Sequence, residues 1–287
     1  MMENIEPSLD DLRREIDRLD DNLHDLLIQR TAIVEKIGSA KGGGGVYLRP
    51  SRQAEILRRL VARHHGRFSK LHVVRLWNEV MGALVALQGP FSLAVFMPER
   101  GAGYLELARD QYGAYTPSTA YRSVGQVVRA VADGVATVGI LPMPDREGVE
   151  PWWVSLMAEN AEIPRIIARL PFASPASGRG DNLEAVAIAR LTQEPTGYDR
   201  SWLVLETADD VSRARLRAAL GAAGLEPTQL AATQRAGDTW LHLAEISSYV
   251  APDDRRVHLL MDRRQPVQRA VIVGGYAVPL RPEDLSD

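Results

Sequence analysis

Between residues 8 and 41, apolar side chains recur at spacings of three and four: Leu9, Leu12, Ile16, Leu19, Leu23, Leu26, Ile33 and Ile37. Such spacing is one apolar seam along a long amphipathic helix, and a helix of this length must bury that seam against something. Ser8 can cap its start and Gly42 can end it. The register calls for an apolar residue between Leu26 and Ile33, and the chain places Arg30 there. A guanidinium in an apolar seam is costly unless an anion meets it, and no acidic residue on that face is an obvious partner. Lys41 returns to nearly the same face three turns later, roughly 16 Å away along the axis. Two long cationic side chains leaning together can hold a small dianion. Arg13 lies about 25 Å from Arg30 by the same rise, so it can serve such a site only on another subunit.

The 287 residues suffice for two or three domains. A hydrophobic content of 45% with 25% charged residues is that of a globular chain. The absence of cysteine excludes disulfides and thiolate metal sites. Residues 1–7 lack a basic region followed by an apolar one, and no apolar run approaches membrane-spanning length, so a cytoplasmic protein with no membrane partner is expected. The net charge of −3 hides an asymmetry. Residues 1–35 hold ten acidic and four basic side chains, whereas residues 36–75 hold ten basic ones and one acidic, Glu55. The basic stretch has no interleaved aromatics of the kind that stack on bases, so it reads as a solvated helix face and no nucleic-acid partner is expected. His64 and His65 are adjacent and cannot both face one metal from a helix, and the chain shows no motif for a metal or cofactor.

Residues 42–45 are four glycines, read as a connector because the phosphate-loop spacing is missing. A second helix starts at Ser51 and runs to about His65, with Gln53 on its inward face beside Leu57. A third runs from about Ser69 to Gln88, its stripe of Val74, Trp77, Met81 and Leu84 ending in the polar Gln88. Three helices without a fourth leave a wide apolar face, which argues for dimerisation.

The pattern Leu12-Arg13, Asp20, Leu26-Leu27, Arg30, Gly38, Lys41, Arg49-Pro50, Arg52 and Leu87-Gln88 resembles the AroQ class of chorismate mutases over roughly residues 8–90. The resemblance implies an intertwined all-helical homodimer that rearranges chorismate to prephenate without a cofactor. Catalysis in that family is positioning plus preorganised electrostatics. It implies that Arg13 of a second copy and Arg30 clamp the two carboxylates. Lys41 and Gln88 would donate to the ether oxygen, and Arg52 would shape the pocket. Three positions depart from the family pattern. Its Glu after the helix-two arginine, which accepts from the substrate hydroxyl, is Gln53; its Ser or Thr one turn before the final Gln is Leu84; an acidic residue near the start of helix two is Arg49. On this reading Gln53 binds substrate as a weaker acceptor, and Gln53→Glu is expected to raise turnover. The alternatives are a non-catalytic regulatory or scaffold homologue, and an isochorismate pyruvate lyase, whose family shares the fold and lacks that Glu.

Gly89-Pro90 ends the third helix. Beyond it, strands at 91–96, 115–121 and 137–141 alternate with helices at 101–112 and 124–133, which predicts a parallel α/β sheet. A helix at 151–159 and strands at 165–170 and 184–189 follow. Residues 201–276 read βαββαβ, the ferredoxin-like order. This two-part region resembles, through its order, a prephenate dehydratase domain followed by an ACT regulatory domain. The expected units are residues 1–90, 91–190 and 191–287. The dehydratase Thr-Arg-Phe reads Leu183-Glu184-Ala185, its Glu-Asn reads Pro144-Asp145, and the ACT Glu-Ser-Arg-Pro reads Ala231 to Gln234. Dehydratase activity and phenylalanine feedback are therefore expected to be lost, leaving the C-terminal region as the place for an effector or a partner enzyme.

Overall fold

The structure is a computed structural model that describes residues 7–40, 47–98, 102–146, 148–158, 160, 162–173, 183–262 and 265–286. Helix α1 (Leu9–Ala40) is continuous over 32 residues. Ser8 caps it as expected: its Oγ accepts from the Asp11 amide at 3.2 Å while Asp11 accepts from the Ser8 amide at 3.1 Å, a reciprocal cap that satisfies two end groups. None of its residues is buried, and the seam from Leu9 to Ile37 lies exposed along this chain. Helices α2 (Pro50–Arg63) and α3 (Lys70–Gln88) follow, α2 opening on a proline whose fixed φ suits the first helical turn.

The strands and helices after α3 are β1 (Leu93–Phe96), α4 (Gly103–Tyr112), β2 (Ser118–Tyr121), α5 (Val124–Ala132), β3 (Val138–Pro142), β4 (Arg165–Leu170) and β5 (Ala185–Ala189). Then come β6 (Asp199–Thr207), α6 (Arg213–Ala222), β7 (Pro227–Ala236), β8 (Thr239–Ile246), α7 (Arg255–Leu260), β9 (Val267–Ala277) and α8 (Pro282–Leu285). Side chains one residue before the first turn start three of these helices: Ser123, Ser212 and Asp254 accept from the amides of Gln126, Arg215 and Arg256.

Among the described residues all the strands join one nine-stranded sheet, ordered β2-β1-β3-β5-β4-β9-β6-β8-β7. The expected parallel sheet holds for β2-β1-β3. Strand β5 runs antiparallel to both β3 and β4, so the sheet is mixed. All five β5 residues are buried, and an all-apolar strand of this kind is compatible with either direction. The predicted helix at 151–159 is a 3₁₀ turn, Trp152–Met157, anchored by four buried apolar side chains. The βαββαβ reading holds: β9-β6-β8-β7 pair antiparallel throughout, the ferredoxin-like arrangement.

The two halves of the sheet meet where β4 pairs in parallel with β9 at Ile166 and Gly274. Gly274 has φ +124°, and a Cβ there would sit 2.3 Å from the Ile166 carbonyl oxygen, so glycine is required for the halves to close. A polar chain, buried at Glu245 and Tyr276, crosses the same seam. The Tyr276 hydroxyl donates to Glu245, Arg169 donates to Tyr276 at 3.2 Å, and Arg169 also holds Glu184 at 2.7 Å.

The helical region shares this core. Ala54, Leu57, Val61, Val74 and Met81 pack with Phe172, Ala173 and Leu280. Arg58 of α2 donates to the Thr196 hydroxyl and to the Tyr198 and Val278 carbonyls at 2.7–2.9 Å.

Candidate active site

Helix α1 touches the rest of the chain through its C-terminal half. Arg30, Thr31, Val34 and Gly38 are half-buried there while the flanking seam is exposed. A Cβ on Gly38 would lie 3.5 Å from Gln88 Cγ, so α1 crosses the end of α3 at closest approach through a glycine. Arg30 is two turns back along α1, about 12 Å by the helical rise.

The electrostatics of Arg30 set it apart. Its Nη1 is buried and has no hydrogen-bond partner among the described residues. Burial pulls its pKa below the usual guanidinium value. A guanidinium always carries its proton in a protein, so this is a fixed positive charge held partly out of water and unpaired. Gln88, half-buried, donates its Nε2 to the Leu84 carbonyl one turn back at 3.0 Å. That local bond holds an amide donor which a side-chain rotation can present to a ligand. Together, Arg30 and Gln88 supply a cation and a neutral donor on facing helices, suited to an anionic molecule with an electron-rich oxygen.

The other expected residues fall in different surroundings. Lys41 lies outside the described residues. Arg13 is exposed on α1 and pairs with Asp10 at 3.1 Å. Because α1 is one uninterrupted helix, Arg13 cannot fold back onto Arg30 of its own chain. Arg52 is exposed and paired with Glu55 at 2.9 Å. Gln53 points inward as its register requires, but into a different environment from the one expected. It is 8% exposed, and its Nε2 donates to Asn78 Oδ1 at 2.9 Å and to the Gln111 carbonyl at 3.2 Å. Its amide nitrogen is thus engaged by α3 and α4, whereas the part expected of it toward substrate belongs to its oxygen. Sequence reasoning missed Asn78, which is 4% exposed. Its signal was present: an amide four residues after Val74 and three before Met81, on the inward face of α3. The described residues contain no group of three side chains able to hold a metal, and no described helix is long and apolar enough to cross a membrane.

Residues 12–89 match the family model for chorismate mutase type II. This helical segment is similar to that family. Among similar proteins, the bifunctional chorismate mutase/prephenate dehydratase of Pseudomonas aeruginosa is 30% identical over 138 residues, covering 46% of this chain and 38% of that protein. The protein of the same description from Aquifex aeolicus is 25% identical over 205 residues, covering 68% and 55%. The chain thus spans between about a third and about half of these relatives' lengths. Among solved structures, the prephenate dehydratase from Arthrobacter aurescens in complex with L-Phe aligns at a TM-score of 0.49 and 12% identity, over 68% of this chain and 92% of that one. Within the helical segment Gly38 of α1 lies against Gln88 of α3 and Arg30 stands about 12 Å back along α1, while Arg13, Arg52 and Gln53 are held by other partners.

Proposed function

We propose that this protein is a chorismate mutase, converting chorismate to prephenate in aromatic amino acid biosynthesis, and that it works as a homodimer in the cytoplasm. The observation that carries this reading is the half-buried Arg30 guanidinium, one nitrogen of which has no partner among the described residues, about two turns along α1 from Gly38, where α1 meets Gln88 of α3. A dicarboxylate substrate supplies the anion that such a group needs.

The rearrangement breaks the ether C–O bond and forms a C–C bond in one cyclic shift of electrons. It needs no proton transfer and no cofactor. The enzyme's task is to hold the enolpyruvyl side chain over the ring and to stabilise the charge that grows on the ether oxygen. In this proposal Arg30 and Arg13 of a second copy clamp the carboxylates, Lys41 and Gln88 donate to the ether oxygen, and Arg52 shapes the entrance. The exposed seam of α1, eight large apolar side chains from Leu9 to Ile37, supports the dimer, because a single chain leaves it in water. The proposed division is a mutase unit at 1–90, a degenerate dehydratase-like unit at 91–190 and an ACT-like unit at 191–287.

The test uses two inactive variants. Arg13→Ala and Arg30→Ala should each abolish turnover. Unfolded together and refolded as a mixture, they should recover about a quarter of wild-type activity. Random pairing makes half the dimers hybrid, and each hybrid holds one intact site of two. A wild-type protein that leaves chorismate unchanged overturns the mutase reading, and a mixture as inactive as its parents overturns the shared site.

A further inference from the structure

The three mutase helices do not stand free of the α/β region, and the contact between them has a chemical direction. The last carbonyls of any helix lack partners within it. In α4 two of these are met from the mutase helices. Gln53 of α2 donates to the Gln111 carbonyl at 3.2 Å, and Asn78 of α3 donates through Nδ2 to the Asp110 carbonyl at 3.0 Å. Gln53 also donates to Asn78 Oδ1 at 2.9 Å. The Asp110 carbonyl can only accept, so it fixes which end of the Asn78 amide faces it. The Asn78 oxygen is thereby turned to Gln53, and Gln53 in turn must present its nitrogen. Around this pair, Arg75 holds the Asp110 carboxylate at 3.1 Å and Glu79 accepts from the Ala114 amide at 3.0 Å. Gly82 lies so close that a Cβ there would be 2.1 Å from the Tyr112 carbonyl oxygen.

We propose that Gln53, acting with Asn78, is a positioning residue that locks α2 and α3 onto the C-terminal end of α4, so that the α/β region sets the placement of Gln88 in the mutase site. This deepens the mutase reading and rests on it. Asn78 and Gln88 lie on the same rigid helix, about 15 Å apart by the helical rise, so a rotation of α3 at Asn78 moves the Gln88 donor with it. The structure also explains why an amide stands at position 53. A carboxylate there would face two acceptors, Asn78 Oδ1 and the Gln111 carbonyl, at the negative end of the α4 dipole. It fits only when protonated, with one O–H to donate. The charged groups on the elements that meet here are Arg75 and Glu79 of α3, Asp110 of α4, and Arg52 and Glu55 of α2 itself.

The experiment compares Gln53→Glu and Gln53→Leu in the full chain, reading urea unfolding and chorismate turnover from pH 8 to pH 5. Gln53→Glu should lower the unfolding midpoint at pH 8 and lose about tenfold in kcat with KM little changed, the pattern of a misplaced transition-state donor. Both should recover as the pH falls and the acid protonates. Gln53→Leu should be weakened by a similar factor at every pH, since it has nothing to protonate. If Gln53→Glu does not fold at pH 8, Asn78→Asp, which removes the donor to Asp110, should show the same recovery at low pH. A Gln53→Glu protein as stable as wild type at pH 8, or one that turns over chorismate faster, overturns the proposal. The unfolding curves need no substrate, so the lock can be tested even if the mutase reading fails.

Discussion

Replacing Arg30 with Met should make the protein more stable and far less active, and the opposing signs make the substitution informative. Met has nearly the length of Arg and carries no charge. In the free protein the buried Arg30 Nη1 has no partner among the described residues. A buried polar group left unsatisfied costs about 1–3 kcal/mol, and the rest of the guanidinium keeps some contact with water, which places the gain on removal near the lower bound, about 1 kcal/mol. Turnover should move the other way. A charge-assisted contact that anchors a carboxylate in a preorganised site is worth about 3–4 kcal/mol, a rate loss of about 10²–10³-fold. The assay pairs urea unfolding with the disappearance of chorismate absorbance, at one protomer concentration because dimer stability depends on it. An Arg30→Met protein that is less stable than wild type and equally active would refute the reasoning. It would mean that Arg30 has a structural partner and no ligand.

Two further outcomes follow from the fold. Arg58→Ala should destabilise the protein by about 1–3 kcal/mol, since it takes the guanidinium donor from the Val278 carbonyl and removes a cation that also lies over the Phe172 and Tyr198 rings; an unchanged urea midpoint would count against that link between α2 and the C-terminal half. His242 bonds Thr207 through Nε2 at 3.1 Å and Thr233 through Nδ1 at 3.3 Å, and burial pushes its pKa below 6.5. The unfolded chain therefore takes up a proton before the folded one does. Stability should be full above about pH 6.5 and fall as the pH drops through that value toward the lower folded pKa; His242→Gln should flatten this slope, and an unaltered slope would assign it to other groups.

Most of the architecture was legible in the chain because it rests on local rules. The three-four spacing from Leu9 to Ile37 defines α1, Ser8 marks its start, and period and turn residues outline the βαββαβ unit. Arg30 stood out because it breaks an apolar seam, a violation visible without coordinates. The direction of β5 was not legible, because Ala185–Ala189 is apolar at every position and no alternation distinguishes one pairing from another. The same holds for Gly274, whose need for a missing side chain arises only from Ile166, 108 residues earlier in the chain.

Position 53 marks the boundary most clearly. The register of α2 determines that Gln53 points inward, and nothing more. Its meeting with the Gln111 carbonyl, across 58 residues, is decided by how α3 and α4 pack. A hydrogen bond depends on what stands opposite, and for this residue that is a carbonyl brought there by the tertiary fold. The sequence by itself determined the helices, the anomalous cation and the family pattern. The fold decided which polar groups face one another, because donor and acceptor are matched in space and not along the chain.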